Sequence, residues 1–360
     1  MPPLARLALF ACIAPLSCGD DLPTIDLNTG SDSSTGAAST GPATTTGADS
    51  STGSGPPCTT DSAEGLLNCV DRDAIVQDVT FVAEIRPPET AHWLAVQELC
   101  MDRMEMLGME VQIHEYSTGI NVVGRRPGTT NPEQLVLVGA HYDHIPDCTG
   151  ADDNATGVAG ALEVARVLAP IETERTLAVA CWDEEERGLL GSSAWVALGL
   201  DEGESVVAYY NYDMIGFASD EPNSQQTPLG FDAIFPEQYQ QVQDNEFRGD
   251  FILVAADDLA AEPTQAFEAH AAMLGLPTVI AVLTAEQKNN PLFSDLRRSD
   301  HAPFWNAEIP AMFFTDSANF RNPAYHCAQG DDTVDALDFD FAADVVAATV
   351  GSAAQTLRLP

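Results

Sequence analysis

The sequence contains little positive charge. Only 15 of its 360 residues are lysine or arginine, against 55 aspartates and glutamates, which gives a formal net charge of −40. A surface of this kind repels the phosphates of nucleic acids and of anionic membranes, so neither is expected as a partner. The acid excess favours a well-solvated surface, and it also suits an exported protein in salty surroundings.

The N-terminal region lacks an apolar run long enough to cross a membrane. Residues 7–14 follow Arg6 and are apolar, but a spanning helix needs roughly 20 such residues. The pattern predicts a cleaved export signal over residues 1–17. Cys18 then stands where a bacterial lipoprotein is processed and lipidated, although Pro15 replaces the leucine preferred there. Two alternatives follow: a lipoprotein anchored through Cys18 at the outer membrane or cell surface, and a secreted protein.

A low-complexity segment follows the export signal. Serine, threonine and glycine fill 18 of the 27 positions in residues 31–57, a composition that cannot bury enough apolar surface to fold. Residues 18–57 are therefore predicted to be a disordered tether. No second linker of this kind follows, so residues 58–360 are predicted to form a single catalytic domain.

Apolar runs of strand length alternate with helical patterns along this domain. The runs are 135–140, 176–182, 206–212 and 279–283, and the helical patterns are 89–107, 155–169, 190–199, 263–274 and 338–356. This alternation predicts a three-layer αβα sandwich around a mixed, mostly parallel, twisted sheet. Residues 216–262 are polar and contain several prolines, which indicates a long loop or insertion beside the candidate metal site described below.

Five side chains of metal-binding type are spread along the chain in short, distinct contexts. They are His141, Asp153, Glu186, Asp213 and His326. Two imidazoles and three carboxylates suit a pair of zinc ions. Three of the five fall at or just after predicted strand ends, where open α/β sheets bind ligands. Taken singly, each has an ordinary alternative: a loop histidine, a helix-capping acid or a solvated charge run.

The acidic triplet 184–186 is the hardest of these contexts to explain without a cation. Three adjacent carboxylates directly after a buried strand repel one another. A metal ion would relieve the repulsion, and one acid could bind it while its neighbour acts as a general base. Near His141, the carboxylate of Asp143 can accept the other ring N–H and so fix the tautomer of the imidazole.

Together these motifs resemble the co-catalytic di-zinc aminopeptidases of the bacterial leucyl aminopeptidase type, over about residues 75–355. Relatives of that family include glutamate carboxypeptidase, glutaminyl cyclase and the transferrin receptor ectodomain. The resemblance implies one zinc ion held by His141 and Asp213 and another held by Glu186 and His326. Asp153, rather than its neighbour Asp152, would bridge the two ions and precede a cis peptide bond.

The same resemblance implies a mechanism and a substrate. Glu185 would be the general base, Tyr325 would stabilise the tetrahedral intermediate, and residues 299–304 would lie close to the site. Substrates would be peptides or proteins with a free N-terminus. The segment 327–333 is longer than its family counterpart. Alternative functions are a carboxypeptidase or dipeptidase of the family, a glutaminyl cyclase, and an inactive binding ectodomain.

Export would permit disulfide bonds. Cys58 and Cys69 are close in sequence and are predicted to pair. Cys148 and Cys327 lie next to two of the ligand segments, so a bridge between them would join those segments if the ligands converge. The alternative is that both thiols bind metal. Cys181 lies in an apolar run and is predicted to be a buried free thiol.

Overall fold

An eight-stranded sheet organises the domain. The computed structural model describes Cys58, Thr60 and residues 62–359, so the predicted export signal and the whole of the predicted tether lie outside the described residues. The strands are β1 (Glu110–Glu115), β2 (Ile120–Arg126), β3 (Asn131–His141), β4 (Arg175–Trp182), β5 (Ser205–Tyr212), β6 (Ile252–Asp257), β7 (Thr278–Leu283) and β8 (Ala311–Thr315).

Helices occupy most of the connections between these strands. They are α1 (Ala63–Leu66), α2 (Arg72–Val82), α3 (Ala91–Met106), α4 (Gly157–Leu168), α5 (Leu190–Leu198), α6 (Phe231–Ile234), α7 (Pro236–Asp244), α8 (Ala261–Leu274), α9 (Ala285–Lys288), α10 (His301–Asn306) and α11 (Phe339–Leu357). The five predicted helical patterns correspond to α3, α4, α5, α8 and α11. Polar side chains start several of these helices: Thr90 accepts the N–H of Trp93 at α3, and Asp338 accepts two N–H groups at α11.

The strand order is β1-β2-β4-β3-β5-β8-β6-β7. Strands β4, β3, β5 and β8 run parallel in the centre. Strand β6 runs antiparallel to β8 and parallel to β7, while β1 and β2 add an antiparallel edge. The sheet is therefore mixed, as predicted. Its four central parallel strands all end at the same edge of the sheet.

Both faces of the sheet are buried, which explains why β3 is a continuous apolar run instead of an alternating one. Val136 and Val138 face one core, which also contains side chains of α2, α3, α4, α8 and α11. Leu135 and Leu137 face the other core, against side chains of α5, α7 and α10. Successive residues of a strand point to opposite faces, so the prediction of a three-layer αβα sandwich is confirmed.

The prediction of a long irregular loop over residues 216–262 is partly wrong. The segment contains α6 and α7, and it ends in β6, whose residues are all buried. Strand β6 was missed because its short apolar run lies between polar stretches and a further helix. Its position inside the sheet, between β8 and β7, gives it pairing partners on both sides.

Three disulfide bonds staple the domain. Cys58–Cys69 and Cys148–Cys327 are paired, in agreement with the sequence prediction. The prediction of a free thiol at Cys181 is wrong, because Cys181 on β4 pairs with Cys100 on α3, with Cα atoms 6.6 Å apart. Helix α3 packs on this face of the sheet and brings the two side chains within bonding reach. In the described part of the chain, no helix is both long and apolar enough to cross a membrane.

Candidate metal centre and adjoining pocket

The ligand candidates gather where the central parallel strands end. His141 is the last residue of β3, and Asp213 directly follows β5. The acidic run that ends at Glu186 follows β4, and the segment leading to His326 follows β8. Because parallel strands place their carboxyl ends along one edge of the sheet, residues far apart in sequence meet there.

A first cluster consists of His141, Asp153 and Asp213. Nε2 of His141 lies 3.5 Å from Oδ1 of Asp153 and 3.7 Å from Oδ2 of Asp213. Zinc bonds of about 2.0–2.2 Å put neighbouring donors of a tetrahedral site about 3.3–3.6 Å apart. The spacing of these donor atoms is therefore close to that of a zinc site.

A second cluster consists of Asp153, Glu186 and His326. Nε2 of His326 lies 3.3 Å from Oδ2 of Asp153 and 3.2 Å from Oε2 of Glu186. Asp153 thus turns one carboxylate oxygen towards each cluster, which is the arrangement a bridging ligand requires. The structure brings all five sequence-predicted ligands together.

A further imidazole, that of His144, lies beside the second cluster. Its Nδ1 is 3.0 Å from Oε1 of Glu186 and 4.0 Å from Oδ1 of Asp153. His144, Asp153 and Glu186 form a group whose donor atoms could hold an ion. The sequence analysis assigned no role to His144, although it stands three residues after His141, directly past a predicted strand.

Several buried polar atoms at this site form no hydrogen bond in the described part of the chain, although some of them lie within ion-pair distance of one another. They are both ring nitrogens of His144, Oε1 of Glu186 and Nε2 of His326. Buried polar atoms are normally paired, because an unpaired one loses its hydration without compensation. A bound cation would supply the missing partner, and imidazole nitrogens with carboxylate oxygens suit zinc.

Charge and burial act together on the residues between the clusters. Burial opposes protonation of His141, but the charge of Glu185 and the nearby carboxylates of Asp143, Asp153 and Asp213 outweigh it and raise the pKa of His141 well above its usual value. Burial also raises the pKa of Glu185 well above the ordinary range, against the influence of His141. The site is thus a buried concentration of carboxylates with imidazoles as the nearest positive groups.

Asp143 organises the backbone beside the first cluster. Its carboxylate accepts the N–H of Glu185 at 3.0 Å and the N–H of Glu186 at 3.3 Å. Nδ1 of His141 lies 3.2 Å from the backbone carbonyl oxygen of Asp143 and 3.5 Å from its carboxylate. The ring N–H of His141 is therefore directed at Asp143, but the hydrogen bond goes to the carbonyl group instead of the predicted carboxylate.

The four consecutive acids after β4 avoid mutual repulsion by taking different partners. Asp183 accepts hydrogen bonds from Nε1 of Trp93 at 2.8 Å and from a backbone N–H. Glu184 pairs with Arg187 at 2.7 Å. Glu186 joins the second cluster, and Glu185 belongs to neither cluster. This leaves Glu185 as the acid of the run that is free to act on a bound molecule.

Two residues that the sequence analysis missed hold the turn that carries Asp153. One guanidinium nitrogen of the buried Arg86, Nη2, donates to the carbonyl oxygens of Gly150 at 2.9 Å and of Asp153 at 3.1 Å. Asp332 accepts the backbone N–H of Asp153 at 3.0 Å. The peptide bond after Asp153 is cis, as the family resemblance implied. No sequence signal marked Arg86, whereas Asp332 lies in the segment that departs from the family pattern.

Tyr325 lies at the rim of the site. Its ring stacks on that of His326 with centroids 4.0 Å apart, and its hydroxyl oxygen accepts a hydrogen bond from Arg298 at 2.9 Å. Burial raises the pKa of Tyr325, and the carboxylate of Asp153 adds to the effect. Tyr325 therefore remains a neutral hydroxyl group at physiological pH.

A pocket with about 710 Å³ of empty space, part of it open to solvent, lies beside the two clusters, with Asp213 and Tyr325 in its wall. The rest of the lining is largely apolar and includes Phe231, Phe251 and Phe313. Its walls come from residues 225–251 and 295–325 and from β6 and β7. Because β6 runs antiparallel to β8, its first residues reach the edge of the sheet at which the site lies.

Comparison with known proteins places these features in a family. A sequence model of peptidase family M28 matches residues 121–351, a range that contains all five candidate ligands. Protein YfbL of Escherichia coli strain K12 is 32% identical over 228 residues, which are 59% of this chain and 64% of YfbL. An aminopeptidase of Pseudomonas aeruginosa strain UCBPP-PA14 is 41% identical over 87 residues, which are 24% of this chain and 16% of that protein.

Solved structures agree on the fold. An aminopeptidase from Aneurinibacillus sp. strain AM-1 superposes with a TM-score of 0.61 at 15% sequence identity, covering 83% of this chain and 97% of that chain. The chain matches less than two thirds of the length of either sequence relative.

Proposed function

Because the chain belongs to peptidase family M28, we propose that it is a zinc aminopeptidase that uses two metal ions to hydrolyse N-terminal peptide bonds. The observation that carries the proposal is the position of Asp153. Its two oxygen atoms face two different imidazoles, at 3.5 Å and 3.3 Å. Two donor clusters that share one carboxylate are what a two-metal hydrolase requires.

Each cluster would hold one zinc ion. His141 and Asp213 would hold the first and Glu186 and His326 the second, with Asp153 between them. Such ions supply Lewis-acid chemistry, because they lower the pKa of a water molecule and polarise the carbonyl group of the substrate.

Glu185 moves the proton in this mechanism. Its carboxylate is buried beside the first cluster, and Asp143 fixes its backbone by accepting its N–H at 3.0 Å. It takes the proton of the attacking water and then donates it to the departing amine. The neutral hydroxyl group of Tyr325 donates a hydrogen bond to the developing oxyanion.

The surroundings of the clusters favour an exopeptidase. The carboxylates at this edge of the sheet attract a protonated N-terminal amine, whereas a chain without that amine gains nothing from them. The first side chain of the substrate then enters the pocket beside the clusters, whose aromatic and aliphatic lining favours apolar residues. Substrates with N-terminal leucine or phenylalanine are therefore expected to be cleaved best.

A zinc titration combined with a panel of aminoacyl anilides tests the proposal. We expect two equivalents of zinc per chain and release of the anilide from leucyl and phenylalanyl substrates with a free amine. The same substrates with an acetylated amine should be poor. Equal cleavage of acetylated substrates would contradict aminopeptidase specificity. One equivalent of zinc with formation of pyroglutamate would indicate a cyclase instead.

The role of Glu185 is tested by Glu185→Gln. General acid–base catalysis contributes about 100- to 10,000-fold, so turnover should fall by that factor while the zinc content stays at the wild-type value. Glu184→Gln is the matched control, because Glu184 is the neighbouring acid and pairs with Arg187 away from both clusters. A Glu185→Gln variant with wild-type turnover would remove Glu185 from the mechanism.

We also propose that the protein is exported and held at a membrane only through a lipid on Cys18. Three disulfides support export, because such bonds persist in oxidising compartments. Growth with a radiolabelled fatty acid should label the wild-type chain and leave Cys18→Ser unlabelled. Release of unlabelled wild-type protein into the medium would favour simple secretion.

A further inference from the structure

A second apolar pocket adjoins the first and shares part of its lining. It contains about 260 Å³ of empty space, part of it open to solvent, and is lined by residues 228–235 and 293–296. Phe235 and Phe293 face this second cavity only, whereas Phe231 and Leu296 face both cavities. The side chains that both cavities share form the wall between them.

Phe231 is the largest apolar side chain in that wall. It is buried, and its ring packs against that of Phe235 with centroids 5.3 Å apart. Phe235 in turn packs edge-to-face on Phe293 at 6.0 Å. Removal of the Phe231 ring would therefore join the two pockets, while Phe235 and Phe293 would still line the second one.

Main-chain hydrogen bonds contribute to holding the backbone around Phe231. The N–H of Phe231 donates to the carbonyl of Pro228 at 3.1 Å, and the N–H of Phe235 donates to the carbonyl of Phe231 at 2.8 Å. The N–H of Gln226 also binds the carbonyl of Phe320 at 2.7 Å. These main-chain hydrogen bonds remain when the side chain is truncated, although the packing of its ring in the core is lost.

We propose that Phe231 sets the depth of the side-chain pocket and so limits which N-terminal residues the protein accepts. This inference rests on the proposed aminopeptidase function. With Phe231 in place, the pocket ends at its ring and suits side chains of the size of leucine or phenylalanine. Without the ring, the two cavities become one deep apolar pocket that suits extended aromatic side chains such as biphenyl groups.

The test compares two anilides, leucyl and 4-phenylphenylalanyl, in the full-length zinc-loaded protein. A fit that differs by a methylene or more changes kcat/KM by about 10- to 200-fold. Phe231→Ala should therefore raise the ratio of biphenyl to leucyl kcat/KM by at least about tenfold. Phe293→Ala is the matched control, because it enlarges the second cavity without opening the wall, and its ratio should stay at the wild-type value.

The outcomes separate this inference from the proposed function. If the wild-type protein cleaves no aminoacyl anilide, the proposed function fails and the inference falls with it. If the wild-type protein cleaves leucyl anilide but Phe231→Ala leaves the ratio unchanged, Phe231 is not the limiting wall and the proposed function stands. Should Phe231→Ala lack a cooperative melting transition, Phe231→Leu must give a smaller shift in the same direction, and no shift would overturn the inference.

Discussion

The two donor clusters share Asp153 but are built differently. The first cluster stands on the sheet: the side chain of His141 is 1% exposed and that of Asp213 is 12% exposed. The second cluster depends on His326, whose side chain is 32% exposed and which lies on a short turn, Tyr325–Cys327, away from the strands. The sheet therefore fixes the ligands of the first cluster, whereas His326 of the second cluster depends on contacts of its own turn.

Backbone geometry explains this difference. His141 ends β3, and Asp213 donates its backbone N–H to Phe314 at 3.0 Å, so the sheet itself fixes both residues. His326 and Cys327 instead have positive φ angles of 53°, a region that side-chain-bearing residues rarely adopt. Such a conformation persists only where surrounding structure enforces it. Here the Cys148–Cys327 disulfide ties the turn to the segment that leads to Asp153.

The largest expected effect comes from the residue that the clusters share. Asp153→Ala removes a donor atom from both, so we expect the variant to bind neither zinc ion tightly and to lose activity by more than about 1,000-fold. Zinc content after dialysis, measured by mass spectrometry, checks the first expectation, and anilide hydrolysis checks the second. A variant that retains two zinc ions would show that Asp153 does not bridge the clusters.

The next expected effect separates the clusters. Asp213→Ala and His326→Ala should each retain one zinc ion, because each removes a donor atom from one cluster only. The ion that remains in His326→Ala should be held more tightly, since its ligands are fixed by the sheet. Competition with a chelator measures both affinities. If the zinc ion that remains in Asp213→Ala were bound more tightly than the one that remains in His326→Ala, the second cluster would be the stronger site and our comparison would be wrong.

The contrast between the clusters also explains what the sequence could predict. The central strands were predictable because burial on both faces makes them continuous apolar runs, and the ligands at their ends followed. The family resemblance seen in the motifs is confirmed by the match to peptidase family M28. Strands β6 and β8 were not predicted, because short apolar runs among polar residues carry no distinct period.

The supports of the site were less predictable than its ligands. The buried Arg86 binds only backbone carbonyl groups, so no partner residue in the sequence marks it. Asp332 likewise acts on backbone N–H groups. The Cys100–Cys181 disulfide depends on how α3 packs on β4, which strand and helix patterns do not specify. Sequence patterns report which side chains are available, whereas these contacts depend on tertiary geometry.

A smaller effect is expected from loss of the disulfide beside the second cluster. Replacement of both Cys148 and Cys327 by serine removes a bridge across 179 residues. Loss of a native disulfide costs about 2–5 kcal/mol of stability. Because the turn that carries His326 would no longer be tethered, the affinity for the zinc ion of the second cluster should also fall. Melting temperature and chelator competition measure the two effects.

The double variant Cys58→Ser with Cys69→Ser is the control for that experiment. It removes a bridge that spans 11 residues and lies outside both clusters, so its zinc affinities should match those of the wild-type protein. Equal loss of both zinc ions in the Cys148/Cys327 variant would mean that the disulfide supports the whole edge of the sheet and not the second cluster alone.

The smallest expected effect concerns His144. This additional imidazole lies beside the second cluster, and the first cluster has no equivalent imidazole. Nδ1 of His144 lies 3.0 Å from Oε1 of Glu186, whereas His326 faces Oε2 of the same carboxylate. An imidazole that contacts the outer oxygen orients the inner one, and loss of such a partner costs about 10- to 100-fold in metal affinity. His144→Ala should therefore lower the affinity for one zinc ion by about tenfold. His92 lies outside both clusters, so His92→Ala should leave both zinc affinities unchanged. An equal loss of affinity for both zinc ions would mean that His144 acts on the shared Asp153 instead of Glu186. The second cluster would then have no supporting residue of its own.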